Sequence, residues 1–444
     1  MGLYHDAIYD WSHTVDSWWE SERHSFAKPS AECLNSDETA DVAIIGGGYC
    51  GLSAAYHLAR DGIAVRVLEA GEIGWGASGR NGGFCSIGAS FLGPEELVAI
   101  YGEGETLRFY RSLIEAVHLV SDLAHEENID IKRQGSGVWT FAHKPSRLQD
   151  LNSQARVLAL NGVKARVVDA EEFQKEGFLC SEQSGGLFEP VGFGLHPLAY
   201  CLGLADAAAK RGAMLHRATR VIGWERSAGT HHLLTHSGSV RAKRVIIATN
   251  GWLPEELVPE LFGRQLPIMS NIVTTRALTD VEMTQQRWST FSPASNTRAH
   301  LAYLRMLPGN RLMYGGRGDT TGSPTGLNEM SALLERRLAG MFPAFAGARI
   351  SHRWRGLISA TRRMTPSVGE LENDPSISFA FGCHGNGVAF MTWAGRELAR
   401  RIAGRKSELP APLRGLPAKF PAPALRLWAL RLMLLRAHFE DQFI

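Results

Sequence analysis

The chain has 444 residues, a length that predicts two or three domains. With 44% hydrophobic and 21% charged residues it has the composition of a globular protein, and a net charge of +2 gives no indication of a nucleic-acid partner. The six cysteines are scattered without C-x-x-C spacing, which argues against a zinc or disulfide framework and favours reduced thiols in a cytoplasm. No apolar run approaches the roughly 18 residues of a membrane span, and we expect no signal peptide.

Residues 1–35 are polar with several aromatic side chains, and we expect them to form an extended arm laid over the first domain. Residues 41–70 follow with the most regular pattern in the chain. The apolar run at 42–45 predicts a buried parallel strand. A helix with small residues, a turn at 61–62 and a second strand at 65–68 come next.

Three glycines, Gly46, Gly48 and Gly51, join the first strand to this helix in G-x-G-x-x-G spacing. The first permits a tight turn, the second lets the backbone approach a pyrophosphate, and the third lets the helix pack on the sheet. The helix N-terminus offers free N–H groups to phosphates, and Glu69 is placed to accept hydrogen bonds from a ribose. A glycine turn without a ligand is the alternative, but strand, glycines, helix, strand and acid in this order predict a dinucleotide site.

Residues 71–93 are dense in glycine and small side chains, so their backbone can come close to a ligand. The chain beyond them predicts helices at 94–128, 145–161, 198–211 and 327–341. It predicts strands at 131–142, 214–216, 221–224, 232–235, 244–248, 272–275, 302–305 and 312–316. The alternating pattern between 265 and 320 indicates an antiparallel sheet that could carry substrate-binding side chains.

A second strand, glycine loop and helix occur far from the first, at 376–381, 382–387 and 388–401. Two glycine loops at opposite ends of the chain favour one composite cofactor site over two independent domains. The chain ends in a leucine- and arginine-rich helix at 425–438. This helix could rest on a membrane surface or dock on its own protein; its arginines spread around the helix, which favours docking.

The sequence resembles the flavin-dependent amine and amino-acid oxidases of the D-amino-acid oxidase (DAO) family, in the branch that holds gamma-glutamylputrescine oxidase. The segments that carry the resemblance span nearly the whole chain in the expected order. They are 41–70, Gly-Trp-Gly-Ala-Ser-Gly-Arg-Asn-Gly-Gly at 74–83, Leu-His-Pro at 195–197, Ala-Thr-Asn-Gly at 248–251, the turn at 315–317, the Trp-Arg-Gly turn at 354–356, and 382–389.

The resemblance implies an α/β protein, α+β overall, with a Rossmann-like FAD-binding domain and a second, mainly antiparallel substrate domain. The FAD-binding domain would be discontinuous. The implied division is 36–93, 195–264 and 351–409 for FAD binding, 94–194 and 265–350 for substrate, 1–35 for the arm, and 410–444 for a C-terminal helical extension.

The resemblance also implies which residues hold FAD, and it implies no metal. A helix N-terminus at 384–389 would stabilise the negative charge of a reduced flavin near N1 and C2=O. The implied FAD-binding residues are Gly46, Gly48, Gly51, Glu69, Ala70, Ser78, Arg80, Asn81, Gly82, Gly83, Val221, Ala248, Thr249, Asn250, Gly385, Asn386, Gly387 and Val388.

The implied reaction moves a hydride from a carbon bearing a neutral amine to flavin N5, and the imine product is hydrolysed by water. The candidate catalytic residues are His384, Trp354, Arg355 and Tyr303. For His384 the alternative is a loop histidine whose hydrogen bonds are made with backbone groups. For Trp354 and Arg355 it is a core tryptophan beside an arginine whose aliphatic stem is buried and whose guanidinium reaches solvent. Tyr303, Arg305 and Arg317 lie on predicted strands, where an arginine could hold a substrate carboxylate or simply face solvent.

Two positions depart from the family pattern: Phe84 stands where glutamine is common, and Arg363 where an acid or asparagine is expected. Both could border the substrate, so the family's substrate cannot be transferred to this chain. Some relatives hold FAD covalently, and Cys85 and Cys383 lie in suggestive loops. Small buried thiols are the favoured interpretation of both.

These patterns favour a cytoplasmic FAD-dependent amine or amino-acid oxidase or dehydrogenase, with O₂ or a quinone as electron acceptor. One alternative is a non-catalytic flavoprotein that keeps FAD for structure or assembly. Another is a peripheral membrane dehydrogenase that passes electrons to quinone.

Overall fold

The computed structural model of this protein describes residues 2–227, 229–253 and 255–443. The helices are α1 (Trp18–Ser21), α2 (Tyr49–Arg60), α3 (Ala77–Arg80), α4 (Pro94–Tyr101), α5 (Glu103–Glu126), α6 (Leu148–Leu160), α7 (Ala170–Glu176), α8 (Pro197–Lys210), α9 (Asp280–Gln285), α10 (Pro324–Met341), α11 (Gly387–Ile402) and α12 (Arg426–Phe443). The strands of the first half are β1 (Ala31–Glu32), β2 (Glu38–Ile45), β3 (Val65–Leu68), β4 (Phe84–Ser86), β5 (Val138–Phe141), β6 (Arg166–Val168), β7 (Gly186–Glu189), β8 (Gly192–Gly194) and β9 (Met214–His216). Those of the second half are β10 (Gly223–Ser227), β11 (Thr230–Leu234), β12 (Ser239–Ile247), β13 (Gln265–Thr275), β14 (Ala294–Asn296), β15 (Ala302–Leu307), β16 (Arg311–Arg317), β17 (Ile350–Thr361), β18 (Ser367–Glu370) and β19 (Ile377–Phe381).

The first sheet is built around β2, whose apolar end at 42–45 is buried because sheet neighbours flank it on both edges. Its strand order is β1-β9-β3-β2-β12-β11-β10, and β19 pairs with the C-terminal part of β12. The strands β3, β2, β12 and β19 run parallel, so their carboxyl ends share one edge. Helix α2 follows β2 and packs against both α8 and α11.

The second sheet has the order β17-β13-β16-β15-β14-β5-β7-β6. Within the described residues its pairs are antiparallel except that of β14 with β5. The longest pairing joins β13 to β17, and β16 lies on the other edge of β13. The predicted α/β architecture, with a mainly antiparallel second sheet, is confirmed.

Several predicted elements have different bounds in the structure. The helix predicted at 94–128 is two helices, because the chain turns at Gly102 with a positive φ of +82°. The strand predicted at 131–142 shortens to β5, since Gly135 and Gly137 also have positive φ.

The turns expected at 315–317 and 354–356 are wrong. Both segments are extended and lie inside β16 and β17. A methyl group at Gly315 would overlap the ring of Tyr303, so glycine is needed there for packing rather than for a turn. Strand β17 was placed with the FAD-binding segments by the predicted division, yet it pairs in the second sheet. The domain boundaries stay a prediction.

Helix α12 packs one face on its own protein. Leu430 on that face is buried in a cluster with Leu266 and Ile268. The opposite face leaves apolar side chains exposed, at Trp428, Leu432 and Leu435. None of the helices in the described ranges is long and apolar enough to cross a bilayer.

Candidate functional site

The G-x-G-x-x-G segment forms the turn between β2 and α2. Gly46 has a φ of +111°, which disfavours any side chain at this position. A methyl group at Gly51 would overlap the carbonyl oxygen of Gly46, so the third glycine lets α2 pack against the turn. The amide of Tyr49, in the first turn of α2, donates to Ser78 Oγ at 3.0 Å. This bond ties the first glycine turn to the 74–83 segment.

Glu69 lies at the carboxyl end of β3 with its carboxylate directed at the same turn. Its oxygens accept hydrogen bonds from the amides of Gly47 (2.7 Å) and Gly71 (3.0 Å). Burial raises the pKa of Glu69, while these amide donors act in the opposite direction. The acid predicted to meet a ribose therefore also holds the glycine turn in shape.

The segment after α3 is fixed by its own side chains. Asn81 Nδ2 donates to the hydroxyl of Tyr49, and Asn81 Oδ1 accepts from the Gly83 amide at 2.7 Å. Arg80 is buried, donates to the Trp75 carbonyl at 2.6 Å and stacks 4.0 Å from the Trp75 ring. Burial lowers the pKa of Arg80 to about 10. Both side chains hold the loop, and Asn81 also faces the cavity described below.

The second glycine loop runs from β19 into α11. Asn250 Oδ1 accepts from the Gly382 amide at 3.1 Å, and Asn250 Nδ2 contacts Cys383 Sγ at 3.6 Å. Helix α11 begins at Gly387 without a side-chain cap, so its first amide groups are free to meet a ligand. The turn after β12 and the loop after β19 are thereby joined at the same sheet edge.

One cavity of about 940 Å³ lies where these segments meet. The predicted FAD-binding residues that line it are Gly46, Gly48, Glu69, Ala70, Ser78, Asn81, Val221, Ala248, Thr249, Asn250, Gly385, Gly387 and Val388. The other five, which lie outside its lining, are Gly51, Arg80, Gly82, Gly83 and Asn386. The structure thus brings four distant regions of the sequence to a single cavity.

Trp354 and Arg355 lie on opposite faces of β17. Trp354 is buried and donates from Nε1 to the Arg80 carbonyl at 2.8 Å, so it touches the 74–83 segment. Arg355 forms a buried ion pair with Asp319 at 2.7 Å and donates to the carbonyls of Gly322 and Ser323. Its guanidinium holds the loop after β16, on the face of β17 opposite to Trp354. Their predicted catalytic roles stay predictions.

His384 is buried and has a positive φ of +52°, and its Nε2 accepts from the Thr361 amide at 3.2 Å. Burial lowers the pKa of His384 to about 3, so the imidazole is neutral at physiological pH. Its ring packs edge-on against Phe91, 4.6 Å away. The residues on either side, Cys383 and Gly385, line the cavity, whereas the His384 ring does not.

Tyr303, Ser270 and Arg317 share one face of the second sheet, and we call them the polar wall. Ser270 pairs directly with Arg317, and Tyr303 pairs with Gly315, two residues before Arg317. The Tyr303 hydroxyl and Ser270 Oγ are 2.8 Å apart. Burial raises the pKa of Tyr303 to about 12 and lowers that of Arg317 to about 10, although all three side chains are only half-buried. The wall therefore faces enclosed space rather than bulk solvent.

The polar wall lies against both glycine segments. A methyl group on Gly82 would meet the Tyr303 ring at 3.1 Å, and one on Gly385 would lie 4.0 Å from Arg317 Nη2. Phe84 packs edge-on to Tyr303 with ring centres 5.8 Å apart, so this departure from the family pattern borders the wall. Arg363 instead donates to the carbonyls of Arg414 and Pro366.

Arg305 neither faces solvent nor is free to bind a substrate. It is 1% exposed and donates to the carbonyls of Gly83 (3.2 Å) and Leu195 (2.8 Å). Burial lowers its pKa to about 9. Cys85 and Cys383 are free, buried thiols whose pKa burial raises, which disfavours the nucleophilic thiolate.

Sequence reasoning missed several residues of the cavity. Tyr49 lines it and is held by Asn81 and the Pro197 carbonyl, and Trp252 and Met391 line it farther along. The N-terminal residues Tyr9 and Trp11 also reach it. An aromatic side chain in a polar arm was the only available signal for these two, and it does not indicate what they contact.

Among the described residues, no group of three His, Cys, Asp or Glu side chains is placed to share a metal ion.

Comparison with known proteins agrees with this geometry. The family profile described as FAD dependent oxidoreductase, DAO, matches residues 41–401. This protein belongs to the DAO family of FAD-dependent oxidoreductases. The DAO-family relatives include gamma-glutamylputrescine oxidoreductase of Escherichia coli, 30% identical over 84% of this chain and 86% of that protein. Another is the probable oxidoreductase OrdL of Haemophilus influenzae, 29% identical over 89% of this chain and 90% of that protein.

The DAO fold is also found among solved structures. Glycine oxidase from Geobacillus kaustophilus superposes with a TM-score of 0.70 at 23% identity, covering 86% of this chain and all of that one. The cofactor of this DAO-family chain is FAD, and the cavity suits it: two helix N-termini, a glycine turn without side chains and Glu69 all face the same space.

Proposed function

We propose that this chain oxidises the C–N bond of a small amine or amino acid. When bound, FAD would take up the hydride at N5, and the imine product would then be hydrolysed by water. The relatives support an amine or amino-acid substrate, because they include a gamma-glutamylputrescine oxidoreductase and glycine oxidases. The observation that carries the proposal is the polar wall, which lies against the two glycine segments that line the FAD cavity.

The side chains of the wall bind and orient the substrate in this proposal. Tyr303 keeps its proton at neutral pH because its pKa is near 12, so it acts as a hydrogen-bond partner with Ser270 rather than as a base. Arg317 stays positively charged, and no carboxylate among the described residues forms an ion pair with it. We therefore propose that Arg317 meets an anionic group of the substrate.

The groups around the polar wall disfavour a charged ammonium next to the flavin in this proposal. Arg317 is positively charged, His384 is uncharged, and Phe84 and Phe91 are apolar. This is consistent with transfer from a neutral amine, for which no acid–base pair is required. In this proposal the same side chains also limit access of water to the amine-bearing carbon until oxidation is complete.

The test is a screen of amines and amino acids against the purified yellow protein without oxygen, following flavin absorbance. At least one small amine should bleach the flavin. Gamma-glutamylated amines, free polyamines, D-amino acids and N-methyl amino acids are the classes to include. If none of them bleaches it, the non-catalytic flavoprotein gains support and the proposed reaction fails.

A quinone-linked dehydrogenase is the second candidate, and the exposed face of α12 favours it. Trp428 and Leu432 on that face are 61% and 68% exposed, as expected of a helix that rests on a membrane. Peroxide formation in air during amine oxidation would identify an oxidase. Turnover that needs a soluble quinone, together with co-sedimentation with lipid vesicles, would identify the dehydrogenase. The cytoplasmic location stays a prediction.

A further inference from the structure

We propose that the N-terminal strap, residues 2–13, is part of the FAD site and that Trp11 covers the adenosine end of the cofactor. The strap precedes the part of the chain that the family profile matches, 41–401. Five of its residues nevertheless line the FAD cavity, namely Gly2, Leu3, Asp6, Tyr9 and Trp11. These five residues thus form a wall of the cavity from a part of the chain that the family profile does not match.

Directional hydrogen bonds hold the strap on the cofactor segments. Trp75 Nε1 donates to the His13 carbonyl at 2.7 Å, and Trp252 Nε1 donates to the Ile8 carbonyl at 3.2 Å. Trp75 begins the glycine-rich segment, and Trp252 follows the turn after β12. The strap therefore bridges, from outside, two of the segments that line the cavity.

The start of the strap is fixed to the second sheet. The Tyr4 hydroxyl donates to the Pro267 carbonyl at 2.6 Å, and the His5 amide donates to the Thr321 carbonyl at 3.0 Å. Tyr4 and Ile8 are each only 5% exposed. A segment with such burial, anchored on Trp75, Trp252 and strand β13, is an integral wall of the cavity.

The position of Trp11 identifies the end of the cofactor that it meets. Its ring lies 4.3 Å from the guanidinium carbon of Arg220 and 6.0 Å from the Trp75 ring. A neighbouring pocket places Trp11 together with Ala70, Thr219 and Arg220. Ala70 follows Glu69, the acid at the carboxyl end of β3 where a Rossmann fold binds the adenosine ribose. Trp11 is thus at the adenosine end, where an aromatic ring can stack on a base.

The experiment compares FAD with FMN, which lacks the adenosine half. Dissociation constants are measured by flavin fluorescence for apoprotein prepared from the holoenzyme, and flavin release is measured directly from diluted holoenzyme. We expect Trp11→Ala to weaken FAD binding about tenfold or more, as loss of a stacked ring does, and to leave FMN binding unchanged. Trp11→Phe should keep FAD binding close to that of the wild type.

Trp18→Ala is the matched control. Trp18 is another half-buried tryptophan of the N-terminal region, but it packs on His352 and Arg311 outside the cavity. The Trp18→Ala variant should leave the affinities for FAD and for FMN unchanged. The proposal is overturned if Trp11→Ala binds or retains FAD like the wild type, or if it loses affinity for FAD and FMN equally. It is also overturned if Trp18→Ala weakens FAD binding as much as Trp11→Ala does.

Discussion

Arg317 and Arg355 lie on the two strands that flank β13, and strand register gives them opposite surroundings. Arg317 pairs with Ser270 and faces the cofactor segments, whereas Arg355 pairs with Asn271 and faces Asp319. Because side chains alternate between the faces of a strand, a difference of one residue decides which arginine faces the glycine segments. The sequence left the surroundings of both arginines open, because it could not supply this register.

For Arg317→Met we expect a selective loss of activity towards substrates with an anionic group. In a pair of amines that differ only in a carboxylate, kcat/KM for the carboxylate-bearing member should fall about tenfold or more, because an enclosed charge pair is lost. The value for the uncharged member should stay within about threefold. Arg311→Met, on the same strand but beside Trp18, is the control. An equal loss for both substrates would contradict a role in binding the anion.

Glu189 gives a second prediction at this scale, on stability. It is buried, and its contact is a hydrogen bond from Gln154 Nε2 at 2.5 Å, so burial raises the pKa of Glu189 from 4.5 to about 7. The folded state binds the proton more tightly than the unfolded state, so this contribution to stability is present below pH 4.5 and is lost as the pH rises through 7. Between pH 4.5 and 8 the wild type should lose on the order of 2–3 kcal/mol of unfolding free energy through Glu189. The Glu189→Gln variant should not show this loss.

The measurement is the free energy of unfolding of both proteins across that pH range. At pH 8 the Gln variant should be the more stable of the two, and at pH 4.5 the difference should disappear. Parallel curves for the two proteins would show that Glu189 titrates normally in the folded state.

At the scale of elements, the strand–glycine–helix–strand unit was predictable because its signals are local. The apolar run, three glycines and terminal acid all fall within residues 41–70, and β2, α2 and β3 follow them closely. Strand β17 was missed because its sequence, Ile-Ser-His-Arg-Trp-Arg-Gly-Leu-Ile-Ser-Ala-Thr, alternates poorly. Its pairing with β13 depends on residues 75 to 96 positions away.

The glycines inside β16 provide the element-scale prediction. Gly315→Ala should destabilise the protein by about 1–3 kcal/mol, because the added methyl group overlaps the Tyr303 ring. Gly340→Ala is the control, since Gly340 lies in α10 with open space around it and alanine favours a helix. Thermal unfolding should show a lower Tm for the first variant and an equal or higher Tm for the second. An unchanged Tm for Gly315→Ala would mean that Tyr303 moves aside at little cost.

At the scale of the whole molecule, the sequence predicted that distant glycine loops share one cofactor, and the cavity joins them. It predicted an arm laid over the first domain but not a wall of the cavity, because no pattern in residues 2–13 specifies contacts with Trp75 and Trp252. Such contacts arise from packing across more than 60 and 240 residues, respectively. Local motifs therefore identified the glycine turns of the site but not the contacts of the strap.

Removal of FAD should loosen the four cavity-lining regions together. A ligand that binds only the folded state at 100 times its Kd adds about 2.7 kcal/mol of stability, so the apoprotein should melt at a lower temperature. Hydrogen exchange should rise in 46–51, 78–81, 248–252 and 385–388, and stay constant in α6, which lies apart from the cavity. Faster exchange in only one of the four would mean that each loop holds its shape alone.

The strap also constrains the order in which the protein can be completed during synthesis. Its residues are made before their partners, because the partners of Tyr4, His5 and Ile8 lie at 252–321. The nascent chain must therefore carry residues 2–13 without these partners until residues 252–321 have been made. Until then the strap lacks the contacts that fix it over the end of the cavity where we place the adenosine.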